Sequence, residues 1–183
     1  MTDFALSPAV RYSNRGDADY RRYVVVLVCA LVLMIGLFGR ALNPAFVNDQ
    51  AEMLILSQSF EWVYDEQPPL YAWIARAALQ WSGNSVFVLD LIKYGFLSIA
   101  VWGIYAIGNA LVAHRGAGIL AIGLAFTLPT LGEDALGEAT HSVALIAASV
   151  VSAYVLLRNL QAPSRWLWLV LAVVWTLGLA FKH

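Results

Sequence analysis

Five long apolar runs, at roughly Tyr23–Leu42, Val86–Val112, Gly116–Leu131, Ser142–Leu157 and Trp166–Phe181, limit this chain more than any other feature. A helix needs about 20 apolar residues, with a range of about 17–25, to cross some 30 Å of hydrocarbon. The first two runs meet that length. The last three reach it only if their small and hydroxyl-bearing ends are counted, or if they sit inside a bundle. Backbone groups in lipid must be satisfied within the segment, and no alternating pattern is present, so the runs predict helices. The composition agrees, with 61% hydrophobic and 13% charged residues against about 45–50% and about 25% in soluble domains.

Charge orients the expected bundle. Arg11, Arg15, Arg21 and Arg22 precede the first run, Arg115 follows the second, and Arg158 and Arg165 follow the fourth. The alternate connections hold Asp49, Glu52, Glu61, Asp65 and Glu66, then Glu133, Asp134 and Glu138, with Arg40 and Arg76 as exceptions. By the positive-inside rule the N-terminus is cytoplasmic and the acidic connections face outward. The first run exceeds a signal-peptide core of about 7–15 residues, and a retained anchor is expected over a cleaved leader. Net charge −1 gives no basic field for nucleic acid, and Cys29, the single cysteine, excludes an intramolecular disulfide or a cysteine-based zinc cluster.

The expected architecture is all-α and polytopic, with about five transmembrane helices and two interfacial helices in the first outer connection, residues 43–85. Residues 1–20 read as a disordered cytoplasmic tail and 21–183 as the membrane module. One surface helix is expected from about Gln50 to Val63, with Met53, Leu56, Phe60 and Val63 toward lipid and Gln50, Ser57, Gln58 and Glu61 opposite. A second starts at Pro68-Pro69 and runs through Trp81 to a break at Ser82-Gly83-Asn84. Tyr64, Tyr71, Trp62, Trp73 and Trp81 suit the headgroup zone.

Four places carry candidate chemistry, each with a plain structural alternative. Asp49 and Glu52, three residues apart at a helix start, form either a capping box or a carboxylate pair holding a general base beside lipid. Glu66 and Gln67, before the proline pair, are either a turn or rigidly held polar groups beside a substrate. Asp90 and Lys93 are either a local ion pair or a phosphate contact made by Lys93. Thr140, His141 and Ser142 are either a helix cap or, through His141, the far wall of a site shared with Asp49. No tight metal-ligand spacing and no nucleotide-binding loop occurs, so no cofactor is predicted.

The motifs NDQAE (Asn48–Glu52), YDEQPPLYAW (Tyr64–Trp73), ATHSV (Ala139–Val143) and GLAFKH (Gly178–His183) resemble the N-terminal part of bacterial GT-C glycosyltransferases. The likeness is to the group that includes protein O-mannosyltransferases, aminoarabinose transferases and rhizobial lipid A and core galacturonosyltransferases. That resemblance implies an inverting transfer of sugar from a polyprenyl-phosphate donor to a lipid, glycan or protein hydroxyl at the outer face of the bacterial inner membrane. It assigns Asp49 as general base with Glu52 beside it, and Glu66, Gln67, Lys93 and His141 to substrate binding. Relatives often carry lysine or histidine where this chain has Glu66-Gln67, which shifts phosphate contact toward Lys93. The likeness also marks the chain as part of a longer enzyme. The rival reading is a non-catalytic multi-pass protein, such as an assembly subunit, a transporter component or a degenerate remnant, whose outer carboxylates only cap and solvate.

Overall fold

The computed structural model describes residues 15–42, 48–64, 69–112, 114, 116–137 and 140–181, and within them every regular element is a helix. In chain order these are α1 (Arg15–Leu42), α2 (Asn48–Leu56), α3 (Pro69–Trp81), α4 (Phe87–Leu111), α5 (Ala117–Ala125), a short π-helix (Thr130–Asp134), α6 (His141–Gln161) and α7 (Arg165–Phe181). By length and composition α4 and α6 are able to cross a membrane. α1 holds an apolar core at Tyr23–Gly39, and α7 is apolar over its 17 residues.

α4 is the hub, packing against α1, α3, α5 and α6, while α6 and α7 pair with each other and α3 lies across α4 and α7. Its sequence explains the role. Leu97, Ala100, Val101, Gly103 and Tyr105 are buried on several sides of the helix, and a narrow stripe of Phe87, Leu91, Ile99 and Trp102 stays exposed. α1 is the opposite case: Val26, Leu27, Met34 and Phe38 stay exposed, and contact with α4 is made through Val32 and Gly36. Gly36 lets the Tyr94 ring lie directly on the α1 backbone, where a Cβ would sit 2.2 Å from the ring. Small residues serve close helix approach in the same way at Gly103, which faces Val150 of α6.

Several expectations are corrected. α1 begins at Arg15, inside the predicted tail. The third apolar run is not one helix: α5 ends after nine residues, and the chain turns at 126–128 before the π-helix. Gly132 permits that fold, since the Phe126 carbonyl oxygen occupies the space a Cβ would take, at 2.2 Å.

The first outer helix stops at Leu56, not Val63, because Ser57 turns its hydroxyl back to donate to the Leu54 carbonyl. Gln50 and Ser57, expected opposite the apolar stripe, are buried together with Met53, so α2 is gripped by protein on that side, while Phe60 and Val63 stay exposed in the loop beyond it. Residues 59–64 then loop back, with the Tyr64 hydroxyl donating to Ser59 O and the Trp73 indole donating to Glu61 O. Phe60, Trp62 and Trp73 form an aromatic cluster on that loop. Tyr64 and Tyr71, expected at the headgroup zone, are buried. The expected second helix is present from Pro69, and its break is made by Gly83 and Asn84, both with positive φ, with Asn84 N–H donating to Leu79 O.

Candidate functional site

At the end of the bundle where α2, α3, α4 and α6 converge, adjacent residues of α2 reach two different helices. Asp49 extends to the start of α6, where its Oδ2 accepts the Thr140 N–H at 3.1 Å and lies 3.5 Å from the Thr140 hydroxyl. Thr140 is the residue before α6, and its own side chain makes no capping bond. The α6 amino terminus, with its orphan N–H groups and positive dipole end, is thus served by a carboxylate from 91 residues earlier. His141 Nδ1 stands 3.9 Å from the same Asp49 oxygen, its side chain nearly covered while that of Asp49 is 29% exposed. The fold thus brings His141 and Asp49 together.

Gln50 turns the other way. Its amide donates to Asp90 Oδ1 of α4 at 2.5 Å, and both side chains are buried. The capping-box geometry does not form around Asp49, which lies within the first turn of α2 and spends its carboxylate on α6. Glu52, half-exposed one turn later, makes no hydrogen bond or ion pair among the described residues, so the structure does not join it to Asp49.

Lys93, one turn beyond Asp90 on α4, is the largest fully buried side chain among the described residues. Among the described residues its ammonium is held by carbonyls and not by a carboxylate: it donates to Gly137 O at 2.5 Å and Leu136 O at 3.5 Å, beside the Tyr94 ring. The Tyr94 hydroxyl donates to Leu136 O as well, at 3.1 Å. Two neighbouring side chains of α4 therefore pin the segment that follows the π-helix. The local ion pair expected between Asp90 and Lys93 gives way to two separate sets of partners, an amide for the acid and carbonyls for the base.

Tyr71 completes the inner wall from α3, packed with Met53, Ala144 and Phe181. Burial first, and then the Asp90 and Asp49 carboxylates, raises its phenol above the ordinary tyrosine value, which keeps it a neutral donor. Sequence reasoning did not assign Tyr71, Gln50, Asp90 or Thr140 to the site. The available signals were a carboxylate inside an apolar run and a glutamine between Asp49 and Met53. Glu66 and Gln67 lie outside the described residues. No group of three or more metal-ligating side chains gathers among the described residues.

The arrangement is a partly exposed carboxylate, oriented by a backbone amide and a helix end, with an imidazole beside it and a buried ammonium and phenol on the inner walls. Such a set can hold a hydroxyl for deprotonation and balance negative charge developing nearby.

Comparison with known proteins gives the following. The sequence profile described as dolichyl-phosphate-mannose-protein mannosyltransferase matches residues 66–183. The chain is 28% identical over 177 residues to the lipopolysaccharide core galacturonosyltransferase RgtB of Rhizobium johnstonii, covering 93% of this chain and 34% of the relative. It is 29% identical over 160 residues to the lipopolysaccharide core galacturonosyltransferase RgtA of the same organism, covering 86% and 32%. The chain spans about a third of the length of these curated relatives. No solved structure matches it.

Proposed function

Since the chain belongs to the dolichyl-phosphate-mannose-protein mannosyltransferase family, we propose that it forms the amino-terminal catalytic part of a membrane glycosyltransferase, with Asp49 as the general base. The observation that carries this reading is the Asp49 carboxylate, seated at the α6 amino terminus 3.9 Å from His141 and open on one side. An acceptor hydroxyl donates its proton to Asp49 while its oxygen attacks the anomeric carbon. The bond from that carbon to the donor phosphate oxygen breaks, the leaving prenyl phosphate takes the electron pair, and the configuration inverts. Because the leaving group is a stabilised anion, positioning and charge balance supply most of the catalysis.

In this reading Glu52 flanks the base, and His141 and Lys93 balance charge on the phosphate. Lys93 has three ammonium donors, of which two are given to carbonyls. Glu66 and Gln67 line the approach. The donor is a polyprenyl-phosphate sugar, with galacturonic acid favoured by the names of the relatives, and the acceptor is a hydroxyl of a cell-envelope glycolipid. Five membrane crossings, with α5 and the π-helix as the third, would put this site at the outer face of the inner membrane and the N-terminus in the cytoplasm.

The test is a chimera in which residues 1–183 replace the aligned third of RgtB, expressed in cells lacking the native enzyme. Core galacturonate is then read by mass spectrometry. Transfer by the chimera, lost in Asp49→Asn at equal membrane abundance, supports the assignment; undiminished transfer by Asp49→Asn overturns it. In the rival, non-catalytic reading the chimera itself is inactive while its abundance matches that of RgtB.

A further inference from the structure

At the end of the bundle away from Asp49, a cavity of about 450 Å³ opens between α1, α4 and α6. It stands near the last turns of two helices, with Asn109 two residues from the end of α4 and Arg158 three from the end of α6. Three features separate it from an ordinary packing gap.

The first is its polar content. Tyr105 and Asn109 both line it, and the Tyr105 hydroxyl and the Asn109 side-chain oxygen are buried with no hydrogen-bond partner among the described residues. Asn109 spends only its amide donor, on Tyr105 O. Native interiors rarely leave two such groups unmet, and because both oxygens are covered by protein a ligand takes them as the Tyr105 and Asn109 side chains turn into the cavity they line.

The second is charge. Arg158, also in the lining, makes no ion pair among the described residues, and no Asp or Glu follows Glu138 in the sequence. An unpaired guanidinium at the edge of a membrane bundle favours a bidentate oxyanion. The third is shape and depth. Trp102 and Tyr154 meet edge to face at 5.4 Å, and Val25 adds an aliphatic wall. Trp166 and Trp168, exposed at the start of α7 beside Arg165, mark this end as interfacial. Oxyanion and hydroxyl recognition next to an aromatic-aliphatic wall, at headgroup depth, describes one kind of occupant.

We propose that this cavity binds the headgroup of an anionic glycerophospholipid. Arg158 takes the phosphate, Asn109 and Tyr105 take headgroup hydroxyls, and an acyl chain runs along Trp102, Tyr154 and Val25. The site is separate from the Asp49 cleft and does not depend on the transferase reading.

The full chain is reconstituted in vesicles of phosphatidylglycerol and phosphatidylcholine, then extracted in mild detergent, and its retained lipids are counted by native mass spectrometry. The wild type should keep phosphatidylglycerol over phosphatidylcholine, and Arg158→Gln should reduce that retention about tenfold, as loss of a charge-assisted contact implies. Arg158→Lys should keep most of it, which separates binding from misfolding. Tyr105→Phe should be the more stable protein without lipid, through loss of an unmet hydroxyl, yet gain less from added phosphatidylglycerol. Equal retention of the two lipids overturns the proposal, as does an Arg158→Gln variant that holds phosphatidylglycerol like the wild type. Displacement of the lipid by millimolar inorganic phosphate would also overturn it, assigning the cavity to a soluble anion.

Discussion

Replacing Lys93 by Met tests whether the buried ammonium holds the segment after the π-helix in place. The exchange keeps most of the aliphatic stem, so it opens little space and isolates the charged end. What is lost is read from the contacts. Gly137 O loses its donor, whereas Leu136 O keeps the Tyr94 hydroxyl at 3.1 Å. Gly137 is exposed, so water meets its carbonyl once the ammonium is gone, and the loss is that of a bond to a charged donor at the low end of its range, about 2 kcal/mol. For a domain of this size that lowers the unfolding midpoint by roughly 4–8 °C. Tyr94→Phe removes one of two donors to Leu136 O and should cost about 1 kcal/mol or less. The assay is built into the chain. Cys29 is its single cysteine, half-buried, with its thiol directed at Ser98 O of α4, so a thiol-reactive fluorophore reports when α1 leaves α4. A Lys93→Met midpoint within about 1 °C of wild type, or one no lower than that of Tyr94→Phe, would refute the reasoning.

Asp49→Asn in the active chimera should cut transfer by about 10²- to 10⁴-fold with little change in the thermal midpoint, whereas Asp49→Ala should add a stability loss of about 1 kcal/mol from the α6 start. Gln50→Leu leaves the buried Asp90 carboxylate without its amide donor and should destabilise by about 1.5–3 kcal/mol, measured by the same thiol assay. Gly36→Ala forces a methyl group against the Tyr94 ring and should cost about 1–3 kcal/mol, with faster labelling of Cys29. The raised phenol of Tyr71 stays protonated in the folded state when the unfolded chain has lost that proton. Its contribution is therefore complete below the ordinary tyrosine value of 10.0 and shrinks as pH rises past it, by up to about 1.4 kcal/mol per pH unit. The stability difference between wild type and Tyr71→Phe should narrow above that pH, and a constant difference would contradict the sign.

The helical class, the placement of α3, α4, α6 and α7, and the glycine break after Trp81 were legible because each rests on local rules of periodicity, proline and positive φ. The failures have a common source. Amphipathicity put Met53, Leu56, Phe60 and Val63 on one lipid-facing stripe, but the helix ends at Leu56, Met53 packs with Tyr71, Ala144 and Phe181, and Gln50 goes inward to meet Asp90. The pairing of Asp90 with Lys93 looked natural at helical spacing. Carbonyls released after the π-helix, invisible in a pattern of side chains, took the lysine instead. Asp49 and His141 were both candidates, yet only the fold shows that they share an oxygen's neighbourhood across 91 positions of sequence. Tyr71 looked like a membrane-surface aromatic, because an amphipathic ring carries the same signal whether its hydroxyl faces headgroups or buried carboxylates.

The two ties of α2 make it a strut. Asp49 is fastened to α6 and Gln50, its neighbour in the chain, to α4. One peptide unit cannot stretch, so any movement that separates those two long helices must rotate α2 or detach one end. A ligand wedging itself between α4 and α6 would therefore swing the carboxylate as it entered. Access to the cleft and aim of the carboxylate become a single mechanical variable, set by the spacing of two helices that belong to the bundle's own core.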